Sequence, residues 1–223
     1  CEICGFDDLS IIWDDKIRNS SKNFTKSKEK ILKCKKCGLV FLKDKKKHLE
    51  NSFVSRKIYN KDNSIKEFVK FHKKRELKKI NFLSNFINIK NKNILELNCG
   101  AGIILSTFKN KVKSTAGVDD DFYKSYLNSK GHSHFSNINK ILKKNFTYDY
   151  VFSMSELEHK FNPKNYLFKV NRLMIKSSKL IVRVPNFQNI YMHLLGKHFL
   201  KYDYKLEVWR QLLFLHLPYT QKV

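Results

Sequence analysis

The sequence predicts an α/β fold, a parallel sheet with helices on both faces, preceded by a small cysteine-anchored module. Two observations carry the sheet. From Asn93 onward, short apolar runs alternate with helical patterns, as expected where helices cross over between parallel strands. Within that region Asn93-Ile94-Leu95-Glu96-Leu97-Asn98-Cys99-Gly100-Ala101-Gly102 reads as a buried strand entering a glycine turn, with a helix following. A third observation carries the module: Cys1-Glu2-Ile3-Cys4 and Cys34-Lys35-Lys36-Cys37 are two C-x₂-C pairs separated by 29 residues.

Residues 1–50 form the module. A C-x₂-C knuckle presents two thiolates to one ion, and two knuckles complete a tetrahedral Cys₄ site, so Cys1, Cys4, Cys34 and Cys37 are read as zinc ligands. Gly5 and Gly38 follow the knuckles, where a tight turn is needed. A redox pair or a disulfide set is the competing reading; neither pair has a βαβ context, and a cytoplasmic setting keeps thiols reduced. Four protein ligands leave no open position, so the Zn²⁺ is structural and adds folding energy to a segment thin in apolar residues. Asp14 to Lys30 is expected to be a loop or hairpin between the knuckles, and Leu39-Val40-Phe41 a strand leaving the second.

Residues 51–91 are a linker and a helix. Ile65, Phe68, Val69, His72, Leu77, Ile80, Leu83 and Ile87 recur at helical spacing and give one buried face. Residues 92–223 hold the sheet, with strands expected near 93–97, 114–118, 133–136, 148–153 and 179–184, and helices near 103–110, 121–130 and 163–175. Ser177-Ser178 suits a turn before the fifth of these strands. The tail from Phe187 reads as a helix and the start of a loop, so the sheet is expected to be C-terminally truncated.

The glycine turn lets a ligand approach the backbone, because glycine has no Cβ. Seventeen residues after Gly102, the strand Thr115-Ala116-Gly117-Val118 delivers Asp119, placed to accept hydrogen bonds from ribose hydroxyls. Glu96-Leu97-Asn98-Cys99-Gly100-Ala101-Gly102, Asp119, Asp149 with Leu157-Glu158-His159 and Pro163, and Val184-Pro185-Asn186 are four ordered motifs. Together they resemble class I S-adenosylmethionine-dependent methyltransferases, which have a Rossmann-like sheet. The resemblance implies that Glu96, Asn98, Gly100, Gly102 and Asp119 contact the cofactor S-adenosylmethionine. Glu96 would reach its methionyl amine and Asp119 its ribose. Asn98 replaces the family's first glycine; Asn tolerates left-handed backbone, so the turn survives with weakened binding. Cys99 also stands where the family has cysteine, and is read as a small buried hydrophobe.

The formal net charge is +25, yet only six of the 45 basic residues are Arg. That composition reads as drift toward Lys, with a nucleic-acid surface as the alternative. There is no apolar run long enough to span a membrane, which takes about 18 residues.

A Cys₄ module ahead of a class I domain is similar to sugar C-methyltransferases acting on nucleotide-linked keto-sugars. That similarity implies a small-molecule acceptor and proton abstraction beside a ketone. His216, in Phe214-Leu215-His216-Leu217-Pro218-Tyr219, would be the base, with His159 and Tyr59 lining the sugar site. Leu215 and Leu213 depart from the subfamily's Glu and Tyr. The alternatives are an RNA methyltransferase, against whose N-methylating members Ser153-Met154-Ser155-Glu156 speaks, and a degenerate non-catalytic binding module.

Overall fold

The computed structural model describes residues 1–17, 24–44, 65–185, 194, 196 and 210–215, the last six by their backbone alone. Tyr59 and His216 lie outside the described residues. The chain divides into two compact units: Cys1–Ser55 with His159–Lys164 and Pro185–Gln211, and Arg56–Glu158 with Asn165–Val184 and Leu212–Val223.

In the first unit β1 (Leu9–Asp15) and β2 (Glu29–Cys34) pair antiparallel on either side of the segment expected to be a loop or hairpin, and β3 (Val40–Leu42) pairs antiparallel with β2. Its core is small. Trp13, Ile17 and Ile31 are buried, with Ile12, Val40 and Leu42 packed against them.

The second unit is a three-layer α/β/α structure. Strands β4 (Asn93–Leu97), β5 (Ser114–Val118), β6 (Ser133–Phe135), β7 (Tyr148–Met154) and β8 (Met174–Pro185) pair in parallel in the order β6-β5-β4-β7-β8. Residue alternation assigns each strand's two faces. Ile94, Phe152 and Ile181 join one cluster with residues of α1 (Ile65–Ser84), α2 (Ile103–Phe108) and α3 (Lys124–Ser129). Leu95, Leu97, Val151, Leu180 and Val182 join the other, with Ile141 of α4 (Ile138–Leu142) and Val170 of α5 (Pro163–Asn171). By the same alternation Glu96 points to the α1 side, a carboxylate where the pattern wants a hydrophobe.

Several elements differ from the sequence reading, which did not anticipate α4. A strand, β9 (Arg210–Leu215), extends the sheet beside β8, where a helix and loop were expected. Its Leu212-Leu213-Phe214-Leu215 is a short continuous apolar run, which periodicity does not assign to helix or strand. β8 begins before Ser177-Ser178 rather than after it: six residues, Met174 to Lys179, pass against three of β7, Tyr148 to Tyr150. The excess loops out there, tied by Ser178 Oγ, which donates to the Tyr148 carbonyl and accepts from Ile175 N–H. The turn exists, but inside the strand. Finally, α2 stops at Phe108 and a 3₁₀ turn, Lys109–Lys111, completes the segment.

Candidate active site

The sheet order reverses at β4, which has β5 on one side and β7 on the other. Connections leave to opposite faces at such a point and open a crevice at the carboxyl ends of the strands. The sequence puts Glu96, the glycine turn, Asp119 and Ser155 at those ends.

Asn98, Gly100 and Gly102 all adopt left-handed backbone, with φ of 57°, 53° and 62°. Three such residues in five reverse the chain from β4 into α2. Asn98 is the one with a side chain, and it takes the conformation as expected. Asn98 and Cys99 donate their N–H groups to the Val118 carbonyl at 2.7 and 3.3 Å, which anchors the turn to β5. A Cβ on Gly102 would stand 2.7 Å from Leu127 Cδ2, so this glycine serves packing. Gly100 is different: a Cβ there would meet only Phe68 Cε1, at 4.0 Å. Its open side is where a ligand can approach.

Asp119 does more than the sequence implied. One carboxylate oxygen accepts Gly100 N–H at 2.6 Å and the other accepts Asp120 N–H at 2.8 Å. The acid therefore pins the glycine turn from β5. Cys99 is buried with its Sγ against Gly117, and burial pushes its thiol well up, as suits a small hydrophobe rather than a nucleophile.

Glu96 is 5% exposed, and its Oε2 has no hydrogen-bond partner among the described residues. Burial, and then the neighbouring Glu76, push its carboxyl well above the ordinary range, opposed by the Leu105 N–H and Arg183. It lines a pocket of about 130 Å³ together with Phe68, His72, Arg75 and Glu76 of α1, the turn Asn98–Ala101, Met154 and Arg183. The helix is positioned by Ile80 and Leu83, both fully buried against the sheet.

That wall was only half legible. Helical spacing located α1 and named Phe68 and His72 as face residues, but nothing marked Arg75 or Glu76 as site residues. Arg75 Nη2 lies 3.0 Å from His72 Nδ1. Because Arg only donates, Nδ1 accepts and His72 carries its proton on Nε2. Glu76 accepts from Lys79 at 2.6 Å, and burial lowers the Lys79 pKa. Arg183, 9% exposed, donates to Ser155 Oγ at 2.6 Å from the end of β8. His159 sits in a short 3₁₀ turn, Leu157–His159, beyond β7 and is not among the residues lining this pocket.

His132 supports the site from below. It is 2% exposed, with Nε2 3.0 Å from Ser106 Oγ and Nδ1 2.7 Å from Thr115 Oγ1. Burial, aided by Lys109 and Lys130, brings its pKa from 6.5 down to about 4. Between those values the unfolded chain takes up a proton that the folded chain does not, so stability falls as pH drops from 6.5 toward 4. The loss is about 2–3 kcal/mol. Urea midpoints at pH 7 and pH 4.5 check this: His132→Asn should lose less on acidification than the parent, and equal losses would refute the assignment.

In the first unit, the four thiols of Cys1, Cys4, Cys34 and Cys37 are brought within 4.8 Å of one another, with Cys1–Cys37 and Cys4–Cys34 sulfur separations of 3.6 Å. A disulfide needs about 2.05 Å, whereas ligands about 2.3 Å from one tetrahedral ion stand about 3.8 Å apart. The knuckles match: Gly5 and Gly38 both have φ of 73°, and each donates its N–H to the carbonyl of the first cysteine, Cys1 or Cys34, at 2.9 Å. Backbone N–H groups of Cys37 and Lys36 lower the Cys34 thiol to about 7 against the opposing effect of burial. The set fits a zinc-like ion.

A family profile described as "Methyltransferase domain" matches residues 68–219. No protein of curated function matches the chain. Among solved structures it is similar to a Thermotoga maritima S-adenosylmethionine-dependent methyltransferase, described as a possible histamine N-methyltransferase, at 15% identity and a TM-score of 0.47, over 68% of this chain and 66% of that one. A putative methyltransferase in complex with the Haloferax volcanii Trm112 activator gives 15% identity and 0.46, over 59% and 63%. Coclaurine N-methyltransferase bound to N-methylheliamine and S-adenosylhomocysteine gives 17% and 0.43, over 48% of this chain and 34% of that one. The chain thus spans between about a third and two thirds of the length of these structures.

Proposed function

The chain belongs to the methyltransferase-domain family, and we propose that it transfers the methyl group of S-adenosylmethionine to a small molecule such as a nucleotide-linked sugar. One observation carries the cofactor reading: a buried carboxylate, Glu96, has an oxygen with no hydrogen-bond partner among the described residues, in a pocket beside the open side of Gly100. A buried polar atom without a partner costs about 1–3 kcal/mol, and an ammonium such as the cofactor's methionyl amine would satisfy it. The ionised form of Glu96 would then be favoured by that charge. Asp119 would take the ribose hydroxyls while keeping Gly100 in place. The cofactor supplies an electrophilic methyl on a sulfonium; the chain aligns acceptor and methyl, and orientation of this kind contributes several kcal/mol.

On the acceptor side, C-methylation needs a base beside the ketone. In this reading His216 removes the proton, with His159 and Tyr59 toward the sugar. Four thiolates at tetrahedral separation support a structural Zn²⁺ on Cys1, Cys4, Cys34 and Cys37. That chemistry suits a cytoplasmic, reducing setting. No described helix is long and apolar enough to cross a membrane.

Incubating the protein with methyl-labelled S-adenosylmethionine and a nucleotide-linked 4-keto-sugar tests the proposal. Label should enter the sugar carbon, and His216→Ala should lower turnover by about 10²–10⁴-fold, the usual worth of a general base. Cofactor binding without transfer to any keto-sugar would exclude this acceptor class and leave the cofactor reading standing.

A further inference from the structure

All strands of a parallel sheet enter from one edge. Here that edge is basic throughout. Between Asn85 and Thr147 the chain has four acids, Glu96, Asp119, Asp120 and Asp121, and all lie at or beyond the carboxyl end of β4 or β5. The same segment has ten lysines, and eight of them lie in the turns that enter β4, β5, β6 and β7. Compositional drift toward lysine does not separate the two signs in this way. Lys90 precedes β4, Lys111 and Lys113 precede β5, Lys130 precedes β6, and Lys143 and Lys144 precede β7; all six are exposed. Asp149, inside β7, is committed to Lys92 and to Asn93 N–H.

Aromatic rings are interleaved with these lysines. Phe86, in the turn before β4, and Phe146, in the turn before β7, are each 53% exposed, and β4 and β7 are neighbours in the sheet. Phe82 is 51% exposed and its ring centroid is 5.0 Å from that of Phe86. The turns before β4 and β5 are joined by Asn91 N–H to the Lys111 carbonyl and Lys113 N–H to the Lys92 carbonyl. Between them lies a groove of about 460 Å³ whose lining includes Asn88, Asn91 and Asn110 with Ile87 and Val112. Cations for phosphate, exposed rings for base stacking and amides for base edges are the elements of a single-stranded nucleic-acid surface.

We infer that the strand-entry edge of the sheet, with Lys90, Lys111, Lys143, Lys144, Phe86 and Phe146, docks single-stranded nucleic acid. The edge lies a strand length from the cofactor crevice, about 16 Å for the five residues of β4. It therefore acts as a tether separate from the methyl-transfer site, and it does not depend on the acceptor reading.

Fluorescence anisotropy with a labelled 12-mer of oligouridylate at 50–300 mM salt tests it. Reversing Lys90, Lys111, Lys143 and Lys144 to Glu should weaken binding at least tenfold. It should also flatten the logarithmic salt dependence by about 0.7 for each phosphate that is no longer neutralised. Reversing four exposed α1 lysines, Lys66, Lys70, Lys73 and Lys74, should cost under threefold. Phe86→Ala with Phe146→Ala should weaken binding about thirtyfold or more with the salt slope unchanged, since each ring stacks a base. Asp119→Ala should bind RNA like the parent whatever it does to the cofactor. Equal losses from both lysine sets would overturn the inference in favour of diffuse charge. So would no binding at 50 mM salt, or loss only of binding to phosphatidylserine vesicles. Circular dichroism of each variant, with the four Lys→Gln changes as a milder set, separates docking from misfolding.

Discussion

Asp119→Ala is expected to weaken S-adenosylmethionine binding by about two orders of magnitude while leaving the protein folded. Two losses add. The carboxylate would no longer meet the ribose hydroxyls, and Gly100 N–H would lose its acceptor at 2.6 Å. Hydrogen bonds to a charged group are worth about 1.5–3 kcal/mol each, and each 1.4 kcal/mol is about tenfold in affinity. The second loss acts through shape. Gly100, at φ of 53°, is held on one side by Asp119 and faces open space on the other, so without that acceptor its backbone is freer to leave the bound geometry. Asp119→Asn separates the two effects: it keeps an oxygen for Gly100 but loses the charge, and should fall between alanine and the parent. Isothermal titration of the three proteins decides. An alanine variant within threefold of the parent would remove Asp119 from the cofactor site.

This pairing explains what the sequence could and could not disclose. The spacing from Gly102 to Asp119 was readable because strand, turn and helix lengths are fixed by their geometry, so an acid at the end of the next strand must arrive beside the glycine turn. That its oxygens bind Gly100 N–H depends on side-chain placement across two strands, which no local pattern encodes. The same limit hid Arg75, Glu76 and Arg183. Each is a charged residue in a lysine-rich chain, and becomes distinctive only when α1 and β8 bring it beside Glu96. Glu96 itself was named because it opens the motif Glu96-Leu97-Asn98-Cys99-Gly100-Ala101-Gly102 that carries the resemblance; its burial came only with the fold. The sixth strand was missed for a different reason: Leu212 to Leu215 is uniformly apolar, and uniform runs carry no period to read.

The other large effect concerns the cysteine module, which is expected to lose its structure when metal is withdrawn. Among the described residues its buried core is the cluster Trp13, Ile17 and Ile31, with Leu32 buried beside them in sequence. Fully burying such a side chain contributes about 1.5–3 kcal/mol, too little to order a three-stranded sheet against a backbone cost of about 1–2 kcal/mol per residue. The shortfall must be met elsewhere. A structural zinc on four thiolates supplies about 10–16 kcal/mol in small modules, and the two knuckles sit where β1 and β2 need joining, since Cys34 pairs with Leu9 at the end of the ladder. Purified protein should therefore contain one zinc per chain. Cys1, Cys4, Cys34 and Cys37 should react slowly with a thiol reagent until a chelator is added, and then quickly; Cys99, buried in the other unit, should stay protected throughout. Chelation should also open the strand Glu29–Cys34 to proteolysis. Cys34→Ser, which removes the most buried of the four ligands, should reproduce that cleavage without a chelator. Four thiols reacting at once in protein that holds no metal, with the module still protease-resistant, would show that the fold stands on its hairpin and small core alone.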